Sequence, residues 1–135
     1  YYTSSNMFSF PTIMYKHFEY FRKMKSKIQQ NWHPPIMANA NLGGIGGITR
    51  IRAISNIKYK LYFVMNRLGV VKDVVIITPR GRKLRQPTDP KEKNIYPFRA
   101  ACFDAIWLSK TFGKVPKGIK GNLVTINIIF HYIVN

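Results

Sequence analysis

The chain has 135 residues, 46% of them hydrophobic, which suits one domain with a single core and excludes a disordered tail. Lys and Arg total 22 against 5 Asp and Glu, so the formal net charge of +17 favours polyanions or acidic proteins as partners. The single cysteine excludes an intrachain disulfide, and no apolar run is long enough to span a bilayer.

The first predicted element is a helix from Met14 to Trp32, preceded by an irregular lead-in at residues 1–13. Its apolar side chains recur at steps of three and four, which is typical of a helix with one buried face. They are Met14, Phe18, Phe21, Met24, Ile28 and Trp32. Pro34 and Pro35 cannot continue a helix and end it.

A glycine-rich insertion is predicted at about residues 36–57. Four of the five residues 43–47 are glycine, but they lack the spacing of a phosphate-binding loop. We therefore interpret the segment as a flexible connector.

Two strands of a β-hairpin are predicted at residues 58–66 and 70–77. The first alternates apolar with polar side chains, and the second is rich in β-branched residues. Gly69 between them can adopt the left-handed backbone conformation that a tight hairpin requires.

The segment 78–94 contains three prolines and a dense cluster of basic residues, and it is predicted to be a long exposed loop. A second helix is predicted at 97–111, because Pro97 suits a first helical position and Gly113 ends the pattern.

The last strand is predicted at 122–134 from strict alternation. One face carries Val124, Ile126, Ile128, Phe130 and Tyr132, and the other carries Thr125, Asn127, Ile129 and His131. The chain is therefore predicted to be an α+β domain of order α-β-β-α-β, with a three-stranded antiparallel sheet and two helices packed on one of its faces.

The sequence predicts no enzymatic activity and no bound cofactor or metal. The few carboxylates fall in different elements, and His17, His33 and His131 lack the spacing of a zinc site. Cys102 lies on the apolar stripe of the second helix, where a free cysteine behaves as a small hydrophobic residue.

Several motifs, taken in order, resemble the C-terminal domains of the TonB/TolA family. The segment from Tyr20 to Pro35, in which an Ile, a Trp and two prolines close a helix, resembles the opening helix of those domains. The stretch 62–77 resembles their strand–turn–strand. The Ala-containing helix at 99–106, followed by Val115-Pro116 and the final strand, resembles the end of the family's chain.

The resemblance covers about residues 15–134 and implies a TonB/TolA-like domain at 14–135. The insertions at about 36–57 and 78–94 are longer than is usual in the family. The resemblance implies a periplasmic domain, tethered to the inner membrane by an N-terminal segment that is not part of this sequence. Such a domain docks on a peptide segment of an outer-membrane transporter, or on an envelope lipoprotein, for energy transduction or envelope tethering.

The docking surface that we predict is the free edge of the last strand, since such an edge offers its N–H and C=O groups to an incoming strand. Thr125, Asn127, Ile129 and His131 are predicted to lie near the partner strand. The same edge could pair with a second copy of the chain in a homodimer.

Two further partners follow from the positive charge. Arg80, Arg82, Lys83 and Arg85 are predicted to contact anionic lipid or glycan. A basic nucleic-acid-binding α+β domain is the alternative function, because basic clusters with strand aromatics suit a phosphate backbone and stacked bases. We rank nucleic acid second, since most of those aromatics share a face with core residues.

Overall fold

The computed structural model describes residues 17–35 and 56–133. The elements are helix α1 (Phe18–Asn31), strands β1 (Asn56–Asn66), β2 (Val71–Ile77) and β3 (Lys83–Leu84), helices α2 (Pro90–Ile95) and α3 (Pro97–Trp107), and strand β4 (Leu123–Ile133). The predicted lead-in, the predicted helix start at Met14 and nearly all of the predicted glycine-rich insertion lie outside the described residues.

The strands form one antiparallel sheet in the order β3-β2-β1-β4. β1 pairs with β4 along the full length of both strands, from Asn56 opposite Ile133 to Asn66 opposite Leu123. The α+β class is confirmed, but the prediction of three strands was wrong, because β3 adds a fourth.

The fourth strand arises within the segment that was expected to be an exposed loop. The Thr78 N–H donates to the Arg82 carbonyl oxygen at 2.9 Å, and Gly81, at a φ of 86°, lets the chain reverse. This turn returns the chain along β2, where Leu84 lies opposite Ile76. A strand of two residues carries no periodicity, so the sequence pattern could not reveal it.

The second long helix, α3, ends at Trp107, four residues before its predicted end. Instead, the backbone beyond Trp107 pairs with the backbone at the start of β2. The Lys110 carbonyl oxygen accepts the Val71 N–H at 2.9 Å, and Thr111 forms an isolated bridge with Val70. These long-range bonds, with Lys110 at a φ of 60°, are incompatible with a continued helix.

The core lies between one face of the sheet and the helices α1 and α3. Its largest fully buried side chains are Phe63, Phe103, Phe130, Met24, Ile28, Leu61, Met65, Ile76, Ile106, Ile126, Ile128 and Val74. The alternation predicted for β4 is confirmed, because every second residue from Val124 to Tyr132 is buried. We call the opposite side of the sheet the outer face.

Aromatic side chains of the C-terminal half of β4 pack against the residue that follows α1 and against α3. The rings of Trp32 and Phe130 are 5.0 Å apart, and those of Phe98 and Tyr132 are 4.9 Å apart. The Tyr132 hydroxyl also donates to the Pro35 carbonyl oxygen at 2.9 Å. This end of β4 is therefore held against the body of the domain.

Candidate functional site

The candidate site is built on β4, the last strand of the sheet among the described residues. One edge of β4 pairs with β1, and no described strand pairs with its other edge. The prediction that the last strand forms an edge agrees with this arrangement. The chemistry of the edge depends on which backbone groups point outward.

The turn after β1 sets the direction of those groups. The Asn66 N–H donates to the Val70 carbonyl oxygen at 3.0 Å, and the Asn66 carbonyl oxygen accepts the Gly69 N–H at 2.9 Å. Both backbone groups of Asn66 therefore point toward β2. Because successive residues of an antiparallel strand direct these groups to opposite sides, Met65 directs its groups toward β4.

The same alternation continues through the uninterrupted register of β1 and β4. Met65 lies opposite Val124, and Phe63 opposite Ile126, so these residues form the hydrogen-bonded pairs. The intervening residues of β4 must direct their N–H and C=O groups away from β1. Those residues are Leu123, Thr125, Asn127 and Ile129.

The same residues point their side chains to the outer face. Thr125 and Asn127 are exposed, whereas Ile129 and His131 are half-buried. The structure thus places all four predicted contact residues in one row along β4. Thr125, Asn127 and Ile129 direct their backbone groups sideways, toward the position of a potential partner strand, and their side chains lie on the outer face beside that position.

Two residues beside this row, Lys58 and Lys60 of β1, were not predicted from the sequence as part of the site. Lys58 lies opposite His131 and Lys60 opposite Ile129, both in pairs that are not hydrogen-bonded, where cross-strand side chains come closest. Both lysines are exposed, and neither has a carboxylate partner among the described residues. Their alternation with core residues on β1 was visible in the sequence, but their position beside the edge depends on strand order.

The segment 108–122, which we call the connector, leads from α3 into β4 and is anchored by Arg67. The Arg67 guanidinium donates to the carbonyl oxygens of Ile119, Gly121 (3.3 Å) and Pro116 (3.3 Å), and its backbone carbonyl accepts the Val115 N–H at 2.9 Å. A planar guanidinium can serve several carbonyl groups at once. This side chain therefore fixes the point at which β4 begins.

The four basic residues predicted to contact anionic surfaces do not form one group. Arg80 and Arg82 lie on the exposed turn between β2 and β3. Lys83 lies on the outer face, with its ammonium 5.9 Å from the centre of the Tyr62 ring. Arg85 is not available for an anionic surface, because its guanidinium forms a bidentate ion pair with Asp73.

In that pair, Nε lies 3.1 Å from Oδ1 and Nη2 lies 2.9 Å from Oδ2. The hydrogen bonds from Arg85 hold the pKa of the Asp73 carboxyl below its ordinary value of 3.8. Asp73 thereby neutralises one positive charge of the outer face, but it lies across β1 from β4, and Lys58 and Lys60 have no carboxylate partner in the part of the chain that the structure describes.

Other chemistry-bearing residues are dispersed. No three His, Cys, Asp or Glu side chains of the described residues come close enough to hold a metal ion. Cys102 is 1% exposed, and burial raises the pKa of its thiol well above the ordinary value of 9.0, which disfavours a nucleophilic thiolate.

In the part of the chain that the structure describes, the helices are all too short or too polar to cross a membrane. In comparisons with known proteins, no protein-family model, no curated protein and no solved structure matches the chain.

Proposed function

We propose that the chain is a docking module that binds an extended segment of another protein as an additional strand outside β4. The row of outward N–H and C=O groups at Thr125, Asn127 and Ile129 carries this proposal, since unpaired backbone groups at a sheet edge are the natural complement of a second strand. Backbone pairing supplies affinity, and the flanking side chains supply selectivity.

The rigidity of β4 supports this role. Its inward side chains, among them Ile126 and Ile128, are each 1% exposed and packed in the core. The Arg67 connector fixes one end of the strand, and the Trp32 and Tyr132 contacts fix the other. An edge that is already ordered loses little conformational entropy when a partner binds.

The resemblance to TonB/TolA C-terminal domains suggests the setting. We place the chain in the periplasm as the distal domain of an envelope-spanning protein, docking on an outer-membrane transporter segment or an envelope lipoprotein. The antiparallel sheet with helices on one face agrees with the α+β class predicted from the sequence, although it has four strands rather than three. A partner segment held edge to edge could sustain a pull along the strand, because several backbone hydrogen bonds would share the load.

The positions of the aromatic side chains favour a peptide over a nucleic acid. Phe63, Phe130 and Tyr132 are buried on the helix side of the sheet, where no base could stack on them. Among the described aromatic side chains of β1 and β4, Tyr62 is the one on the outer face. In addition, the edge presents both N–H donors and C=O acceptors, which a peptide backbone can pair together, whereas a phosphate oxygen could use only the donors.

Selection of peptides from a phage-displayed random library, followed by amide hydrogen exchange, tests the proposal. Bound peptides should slow exchange at Thr125, Asn127 and Ile129, whose N–H groups would become paired. Exchange at Val124, Ile126 and Ile128 should change little, because these groups already bond to β1. Selected peptides that leave Thr125, Asn127 and Ile129 unprotected would show that the edge is not the docking surface.

Proline substitutions provide a matched pair. Asn127→Pro removes an outward N–H, so it should keep the fold and abolish peptide binding. Ile126→Pro removes an N–H that bonds to β1 and should unfold the domain. If the folded Asn127→Pro variant binds the same peptides with unchanged affinity, strand addition is wrong.

The proposed setting has a separate test. In the source cells, protease added to spheroplasts should digest the protein, while a cytoplasmic marker protein remains intact. Protection of the protein until the inner membrane is lysed would contradict a periplasmic location and leave the docking proposal to the peptide experiments.

A further inference from the structure

We infer that the segment docked on β4 is acidic, with Asp or Glu at the alternate positions that face the outer side of the sheet. This inference rests on the proposed docking function, and it names the chemistry of the partner. It follows from the two lysines next to the edge, the scarcity of carboxylates in the chain, and the direction of the β4 backbone.

The geometry places the acidic residues of the partner. Thr125, Asn127 and Ile129 direct their backbone groups outward, so an antiparallel partner residue opposite each of them would also point its side chain to the outer face. The Cα atom of such a residue would lie about 10 Å from that of the nearest β1 residue. A carboxylate and a lysine ammonium extending from the two positions can approach one another across β4.

The side chains between them leave room for this contact. Lys60 lies opposite Ile129, and one of its diagonal neighbours is Asn127, whose side chain is short. Lys58 lies two residue pairs further along, opposite His131. The two lysines thus form a positive strip parallel to the edge, one strand away from the docked segment.

The chain has few carboxylates that could neutralise the two lysines of this strip. Neither β1 nor β4 contains an acidic residue, and none follows Asp104. Of the described carboxylates, those of Glu19 and Asp73 are already ion-paired with Arg22 and Arg85. A complementary charge at this strip would therefore come from a partner, and a net charge of +17 would also speed the approach of an acidic partner.

The same observations disfavour a second copy of the chain as the occupant. A second β4 strand would supply no carboxylate, and it would bring another pair of lysines toward the first pair. Like charges juxtaposed across an interface oppose association. A lysine strip beside an exposed strand is also a common protection against edge-to-edge pairing of identical chains.

Titration of the isotopically labelled protein with defined peptides tests the inference. The probe is a capped octapeptide in which valine alternates with glutamate, and its counterpart carries glutamine in place of every glutamate. The glutamate peptide should bind about tenfold more tightly at low salt, as expected for two partly exposed ion pairs. The preference should shrink as salt is added.

Two double variants with equal loss of charge identify the lysines responsible. Lys58→Gln with Lys60→Gln should remove the preference for the glutamate peptide. Lys114→Gln with Lys117→Gln, which changes two exposed lysines of the connector before β4, should leave most of it intact. An equal effect of both double variants would show that net charge, rather than the strip beside β4, selects acidic peptides, and would overturn the inference.

The remaining outcomes separate the two proposals. If both peptides protect Thr125, Asn127 and Ile129 with equal affinity, docking stands and acidic selectivity is wrong. If neither peptide protects these amides, both proposals fail.

An octamer of deoxythymidine that binds more tightly than the glutamate peptide, and loses its binding on Lys58→Gln with Lys60→Gln, would assign the strip to nucleic acid instead. Sedimentation of dimers that dissociate in the Asn127→Pro variant would assign the edge to a second copy of the chain.

Discussion

Gly69 and Gly113 approach so closely that a Cβ atom on Gly69 would overlap the carbonyl oxygen of Gly113. Gly69 also has a φ of 78°, which residues with a side chain rarely adopt. The Phe112 N–H donates to the Gly69 carbonyl oxygen at 2.9 Å, so this contact joins the β1–β2 turn to the connector that leads into β4.

Gly69→Ala should therefore destabilise the domain by at least about 2 kcal/mol, from backbone strain together with displacement of the connector. Gly81→Ala is the matched control. Gly81 has a similar φ of 86°, but its Cβ would meet no atom within 4 Å, so only the strain of about 1 kcal/mol remains. Urea denaturation measures both. Equal losses of stability in the two variants would mean that the close approach of Gly113 does not contribute to the effect of Gly69→Ala.

Hydrogen exchange along β4 in the unbound protein should alternate. The amides of Thr125, Asn127 and Ile129 point outward and should exchange rapidly, whereas those of Val124, Ile126 and Ile128 bond to β1 and should exchange slowly. Nuclear magnetic resonance of the labelled protein resolves each amide. Uniform protection along the strand would show that its outer edge is covered, and the opposite alternation would refute the backbone directions derived from Asn66.

Arg67→Ala should loosen the part of the connector at 115–121, because the guanidinium donates to several of its carbonyl groups. A loss of about 1–3 kcal/mol in the free energy of unfolding is expected for hydrogen bonds to a charged donor. Exchange of the connector amides should accelerate more than exchange in α1.

Arg67→Lys distinguishes the shape of the donor from its charge. Lysine keeps the positive charge but lacks the planar fork, so it should recover only part of the lost stability. Arg82→Ala, which removes an exposed arginine from the β2–β3 turn, should change stability by less than about 0.5 kcal/mol. Full recovery with lysine would indicate that charge alone holds the connector.

The ion pair between Asp73 and Arg85 should contribute stability that depends on pH. Because the pKa of Asp73 is lowered in the folded protein, this contribution is present above the unfolded value of 3.8 and is lost as the pH falls through the folded pKa. A double-mutant cycle with Asp73→Asn and Arg85→Gln measures it. We expect a small coupling near neutral pH, since the pair is largely exposed, and none in strong acid. A coupling that grows as the pH falls would contradict the assignment.

Periodicity in the sequence determined the main elements. The apolar spacing from Phe18 to Ile28 predicted α1, and the alternation from Val124 to Tyr132 predicted β4 together with its buried face. These patterns are local, because a helix or strand exposes the same faces whatever lies beside it.

The sequence predicted that β4 forms an edge, but only the tertiary structure decided which strand lies beside it and which of its backbone groups point outward. Strand order places Lys58 and Lys60 one strand from that edge, and the hydrogen bonds of Asn66 set the direction of the groups on β4. The pair Asp73–Arg85 and the contact of Gly69 with Gly113 likewise join distant parts of the chain. Such features depend on long-range pairing, and a pattern of neighbouring residues carries no information about the partner that a strand or a turn will meet.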